Sequence, residues 1–190
     1  MNLRMRWLLV ALALTTGCGY NTIQTYDEQV NAAEGQIKVQ LQRRADLIPN
    51  IVETVKGFAK QEMTIFTEVA EARAKLSGAV QSNNVEQMAT ANAALTAPLG
   101  RLLATAENYP QLKSNENVKM LQEELSGTEN KIGFARQFYN DIATKYNIAR
   151  ETFPSNLIAG SFGFTPAELF EIKDDADRAV PSVDLSFGKK

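Results

Sequence analysis

Four stretches of the chain carry apolar residues at alternating spacings of three and four, the mark of a helix with one buried face. From about Tyr20 to Leu47 the seam is Ile23, Tyr26, Val30, Ala33 and Ile37, continued by Leu41 and Ala45. A second seam runs Val52, Val55, Ala59, Glu62, Phe66, Val69, Arg73 and Leu76, and a third runs Val85, Met88, Asn92, Leu95, Leu99, Leu102, Ala106 and Tyr109. The longest begins at Val118 and passes through Leu121, Leu125, Thr128, Ile132, Ala135, Tyr139, Ile142, Tyr146 and Ala149 to Phe153. A repeat close to three and a half residues favours antiparallel neighbours at shallow crossing angles. The pattern predicts an all-α fold: an antiparallel bundle of about four long helices, with a short C-terminal helix and a tail.

Prolines and polar clusters set the expected boundaries. The residue before a proline is pushed out of the α region, so the first helix is expected to stop near Leu47 and the second to start at Pro49 and end near Leu76. Ser77 to Gln87, with Gly78, Asn83 and Asn84, reads as a turn and a helix start. Pro98 is expected to kink the third helix, and Ser114 with Asn115 to cap the fourth. That fourth helix, Asn115 to Phe153, would reach about 58 Å if straight and project beyond the bundle. Pro154 stops it, and Thr165, Pro166 and Glu168 suggest a capping box for a short helix ending near Phe170. Gly35 either costs about 1 kcal/mol in an exposed helix or admits a close neighbour.

Composition narrows the chemistry. A chain of 190 residues with 44% hydrophobic content suits one globular domain. The absence of histidine removes the commonest general base and zinc ligand. Arg4 and Arg6 precede an apolar run from Trp7 to Leu14, then small residues and the single cysteine, Cys18. This reads as an export signal, since the run is short of the ~20 residues a spanning helix needs. Thr15, Thr16, Gly17 and Cys18 resemble a bacterial lipoprotein processing box, which divides the chain into a signal peptide (1–17), a helical bundle (18–172) and an acidic tail (173–190).

On this reading Cys18 is the lipid attachment site, carrying a diacylglyceryl group and commonly a further acyl chain such as palmitate on its amine. Each buried CH₂ contributes about 0.8 kcal/mol, so two or three chains anchor stably. The alternative is a plain thiol at the end of a signal anchor. Gly19 replaces the aspartate that often retains lipoproteins at the inner membrane, which points to the periplasmic face of an outer membrane where there are two. Loss of residues 1–17 removes Arg4 and Arg6 from 20 basic residues against 22 acidic ones and moves the net charge from −2 to −4. Such a body is a poor partner for nucleic acid.

Several positions carry two readings. Glu62 and Arg73 lie on the second seam, either as a buried polar pair or with charged heads reaching water; burial statistics favour water. Arg43 and Arg44 are headgroup contacts or, the favoured reading, solvated residues near a helix C-terminus. Phe138, Tyr139, Tyr146 and Phe153 form a binding strip or, more in keeping with their spacing, core. Phe162 and Phe164 cover a bundle end or present a contact patch for a partner or membrane. In the tail, Asp174, Asp175 and Asp177 lack the alternation of a calcium loop and read as solvated. Val183, Leu185 and Phe187 are disordered or dock on a partner in extended form. A hydrolase using Glu123 and Glu124 is disfavoured, because neighbours on a helix diverge by about 100°.

The segments VQLQRRADLIPNIVETVKGFAKQE, EARAKL, ENYPQLKSNENVKMLQEELSGTENKI, ARQFYND and ETFPSNLIAG with FGF resemble the LemA family, which includes magnetosome-associated relatives. The likeness spans about Tyr20 to Phe170 in unbroken order. It implies a mainly helical bundle attached to a membrane by its N-terminus, in a family without an established catalytic activity. The expected function is that of a non-enzymatic, membrane-anchored envelope lipoprotein, without cofactor or metal, that assembles with itself or with another membrane protein. The alternative is an elongated adaptor of an envelope transport or secretion complex.

Overall fold

The computed structural model describes residues 3–171, with side chains from residue 19 onward. The expectations for the tail from Lys173, and for the side chain of Cys18, lie outside the described residues. Within them are six helices and no strand: α1 (Leu3–Lys56), α2 (Met63–Ser82), α3 (Val85–Asn108), α4 (Pro110–Lys113), α5 (Glu116–Glu151) and α6 (Ser155–Phe162). The long elements form the all-α bundle that the seams predict. α1 and α5 pack antiparallel along most of their length, and α2 and α3 form a hairpin against α1. The core holds Ile23, Ile37, Leu41, Leu76, Leu95, Leu102, Ile132, Tyr139 and Tyr146, all seam residues.

The first boundary expectation is overturned. α1 does not stop at Leu47 but runs through Pro49 to Lys56, and the turn falls at residues 57–62. Pro49 has no N–H, so the carbonyl of Ala45 loses its partner four residues on. Arg73 of α2 fills that vacancy: its Nε donates to the Ala45 oxygen at 2.7 Å. A donor from a neighbouring helix thus satisfies the gap that would otherwise favour a break.

The next turn is shorter than expected. α2 continues to Ser82, and only Asn83, in the left-handed region at φ 56°, and Asn84 separate it from α3. The Asn84 side chain accepts from the Gln87 N–H at 2.7 Å, and that of Asn115 from the amides of Asn117 and Val118, so asparagines cap both α3 and α5. Pro98 lies inside α3 without ending it. Gly35 is exposed with nothing near the place of a Cβ, so it admits no close helix.

The C-terminal helix also moves. α6 occupies Ser155–Phe162, ends at Gly163 with φ 75°, and packs against α1 and α5, so the far end of α5 is covered rather than projecting. Residues 164–171 form no helix over Thr165–Phe170 but a strap laid back along α5. Two asparagines one heptad apart hold it by both backbone groups. Asn147 donates to the Ala167 carbonyl and accepts from its amide, both at 2.9 Å, and Asn140 does the same for Phe170 at 3.4 and 2.8 Å. These bonds compensate for the backbone pairing that a capped helix would have supplied. Asn147→Ala is expected to cost about 1–2 kcal/mol in urea unfolding and to speed hydrogen exchange at the Ala167 amide. Unchanged exchange there would mean that burial of Phe170 alone holds the strap.

Candidate interaction surface and anchor end

One buried polar cluster joins three helices of the bundle. Arg44, read above as solvated, is 3% exposed. Because α1 runs on to Lys56, Arg44 sits mid-helix, seven residues from both Ile37 and Ile51, and therefore on the buried face. Its guanidinium donates to Asn92 Oδ1 and, at 3.5 Å, to Thr96 Oγ1 on α3, and pairs with Glu129 on α5 at 2.8 Å. It thereby ties three helices at one point. Burial lowers its pKa and Glu129 acts in the opposite sense. Arg43 next to it is exposed and pairs with Glu124, one of the two carboxylates considered for hydrolysis.

Glu62 and Arg73 are not a buried pair. Both are half-buried; Glu62 stands at the N-cap of α2 without a side-chain cap, while Arg73 is committed to the Ala45 carbonyl. Eleven residues of helix separate them, roughly 16 Å along the axis.

The four aromatic residues of α5 and its end divide. Tyr139 and Tyr146 are core, and their hydroxyls donate to the strap carbonyls of Glu168 at 2.7 Å and Thr165 at 2.8 Å. Burial, with Glu34 and Glu168 nearby, pushes the Tyr139 phenol up to about 12. Burial and Asp27 raise that of Tyr146. Both therefore remain neutral donors that hold the strap. Phe138 and Phe153, expected in the core, are exposed.

Exposed Phe138 belongs to an open groove between α1 and α5. Val39 of α1 and Phe134 and Phe138 of α5 present apolar surface there, Phe134 being 74% exposed, and Lys131 marks one edge. Gln40 offers a buried side-chain oxygen that has no hydrogen-bond partner. An apolar strip with one unpaired acceptor suits a docked side chain or helix better than a small polar substrate. Among the described residues no group of three or more His, Cys, Asp or Glu is placed to hold a metal ion. None of the helices is long and apolar enough to cross a membrane, judged on the described residues.

A second surface lies at the opposite end of the bundle from the 57–62 turn, around Tyr20 of α1. Phe162 is exposed and its ring meets Tyr20 edge-on at 5.0 Å; Phe164 is half-buried and tilted against the same tyrosine at 5.8 Å. The two phenylalanines singled out in the sequence thus both meet Tyr20, one residue past Gly19. The signal missed in the sequence was the heptad Ile37, Arg44, Ile51, legible only once α1 is known to continue past Pro49.

Comparison with known proteins gives a consistent set. The sequence model of the LemA family matches residues 33–185. Magnetosome protein MamQ 2 of Paramagnetospirillum magneticum is 28% identical over 195 residues, covering 90% of this chain and 72% of that protein. Magnetosome protein MamQ of Magnetospirillum gryphiswaldense is 27% identical with the same coverage. Protein LemA of Metamycoplasma hominis is 23% identical over 158 residues, covering 81% of this chain and 69% of its own length.

Proposed function

The chain belongs to the LemA family, and on that premise we propose that it is a non-enzymatic protein of the bacterial envelope, held at a membrane through lipid on Cys18, whose bundle docks other protein chains along the α1–α5 groove. The observation that carries this reading is the exposed strip of Val39, Phe134 and Phe138 on the two longest helices. Solvent-exposed apolar side chains grouped in this way mark interaction sites more often than isolated ones do. Relatives named as magnetosome proteins support a setting at a membrane. Anchoring strengthens the argument, because a tethered chain meets its neighbours at raised effective concentration and weak contacts along a helix suffice.

The test combines two readouts on the full chain. Intact mass and membrane fractionation of the native protein are compared with Cys18→Ser, and a photo-crosslinking residue is placed at Phe134 in cells. The reading expects a mature mass that starts at Cys18 with added acyl chains, release of the serine variant from membranes, and protein adducts from position 134. Retention of residues 1–17 in both forms would overturn lipid anchoring. An absence of adducts at 134, with the protein folded and membrane-bound, would remove the groove as the docking face.

A further inference from the structure

From Trp7 to Tyr26 the sequence holds no charged residue, and from Thr152 to Ala167 it again holds none. The fold brings these two uncharged stretches to the same end of the bundle. Gly19 lies so close to α6 that a Cβ there would stand 2.9 Å from Ser155 Oγ and 3.1 Å from Ile158 Cδ1, and Tyr20 meets the rings of Phe162 and Phe164. The first formal charges reached on leaving this end are Asp27 on α1, Arg150 and Glu151 on α5, and Glu168 on the strap. On its outer surface Phe153, Leu157 and Phe162 are exposed by 76%, 63% and 67%. Three large apolar side chains on an end without charge are unusual for a surface in water, where charged residues ordinarily separate such groups.

The course of α1 decides what covers them. It is one helix from Leu3, so the backbone leaves this end of the bundle and continues directly into the apolar run Trp7 to Leu14. If that run remains it ends at Leu14, five residues before Gly19, and if it is replaced by acyl chains on Cys18 the hydrocarbon begins one residue before Gly19; in both cases it adjoins the end of the bundle that carries α6. We propose that this uncharged end, with Phe153, Leu157 and Phe162 as its contact residues, sits in the interfacial layer of a lipid bilayer and seats the bundle on the membrane. The inference rests on the anchoring part of the proposed function and adds a second, non-covalent contact to it. Aromatic side chains are at home at this depth, and the absence of charge from residues 152–167 lowers the desolvation penalty of entering it.

Depth-dependent fluorescence quenching tests it. Trp7 is the only tryptophan. Leu157→Trp is therefore placed in a Trp7→Phe background, and the full chain, purified from membranes, is reconstituted into phosphatidylcholine and phosphatidylglycerol vesicles with or without bromine on the acyl chains. Phe162→Trp serves as a second probe in case one variant misfolds, and Val39→Trp reports the groove. The expected result is at least twofold quenching at positions 157 and 162 and none at 39, with the protein floating with the vesicles. Protein that floats while both probes stay unquenched overturns the seating but leaves the anchor standing. Protein that does not float overturns the anchor and the seating together. Crosslinking from position 157 in native membranes to a protein instead of lipid would assign this end to a protein partner and reject the proposal.

Discussion

Glu129→Ala is expected to lower the unfolding free energy by about 2–3 kcal/mol, and Arg44→Met to lower it by less. The order is counterintuitive if ion pairs are treated as simple attractions. Arg44 is almost wholly buried, whereas Glu129 is about half exposed at 49%. Removing the carboxylate leaves a guanidinium inside the bundle with only Asn92 and Thr96 as neutral acceptors, and an unpaired buried charge is penalised by several kcal/mol. Removing the arginine instead takes the charge out of the interior, keeps much of the side-chain volume as methionine, and returns Glu129 to water. Exposure of Glu129 is the reason for placing the loss below the range typical of fully buried pairs. Urea unfolding of the two variants checks the order. Equal losses would mean that the three-helix junction depends on packing, not on compensation of the Arg44 charge.

Arg73→Met is expected to cost about 1–3 kcal/mol, and to cost much less when Pro49 is also replaced by alanine. Pro49 cannot donate to the wild-type carbonyl of Ala45, and Arg73 Nε does so instead. Methionine keeps the aliphatic stem and deletes the donor, leaving a carbonyl in a buried stretch of α1 unpaired. Pro49→Ala restores the native i to i+4 donor, so the arginine becomes dispensable. A double-mutant cycle in denaturant measures the coupling directly. A coupling near zero would show that the Arg73 contact does not compensate for the proline.

These two residues also show what could be read from the chain. The seams of α1, α3 and α5 were legible because a single amphipathic period imposes itself over many turns, and the asparagine caps were legible because the capping bond is local. The continuation through Pro49 was not. The residue before a proline does disfavour the α region, but the donor that overrides this preference comes from Arg73, on another helix and 28 residues away. The same continuation moves Arg44 from a solvated helix end to the buried face of α1. The strap was missed for a related reason. Thr165, Pro166 and Glu168 satisfy a local capping pattern, yet Asn140 and Asn147 on α5 pair with the backbone in its extended form. The resemblance to the LemA family supplied the architecture, whereas the groove depends on which faces of α1 and α5 remain uncovered, and no single segment records that.

The unbroken course of α1 has a mechanical consequence. With the Ala45 carbonyl satisfied at Pro49, the helix has no open joint between the anchor end and Lys56, and the 37 residues from residue 20 to 56 form one strut of roughly 56 Å. A strut fixed at one end acts as a lever. If its base is held by lipid, a 10° tilt imposed there by membrane thickness or curvature sweeps the distal turn through roughly 10 Å, so a small change in the bilayer becomes a displacement at Phe58 and Met63 large enough for another molecule to sense.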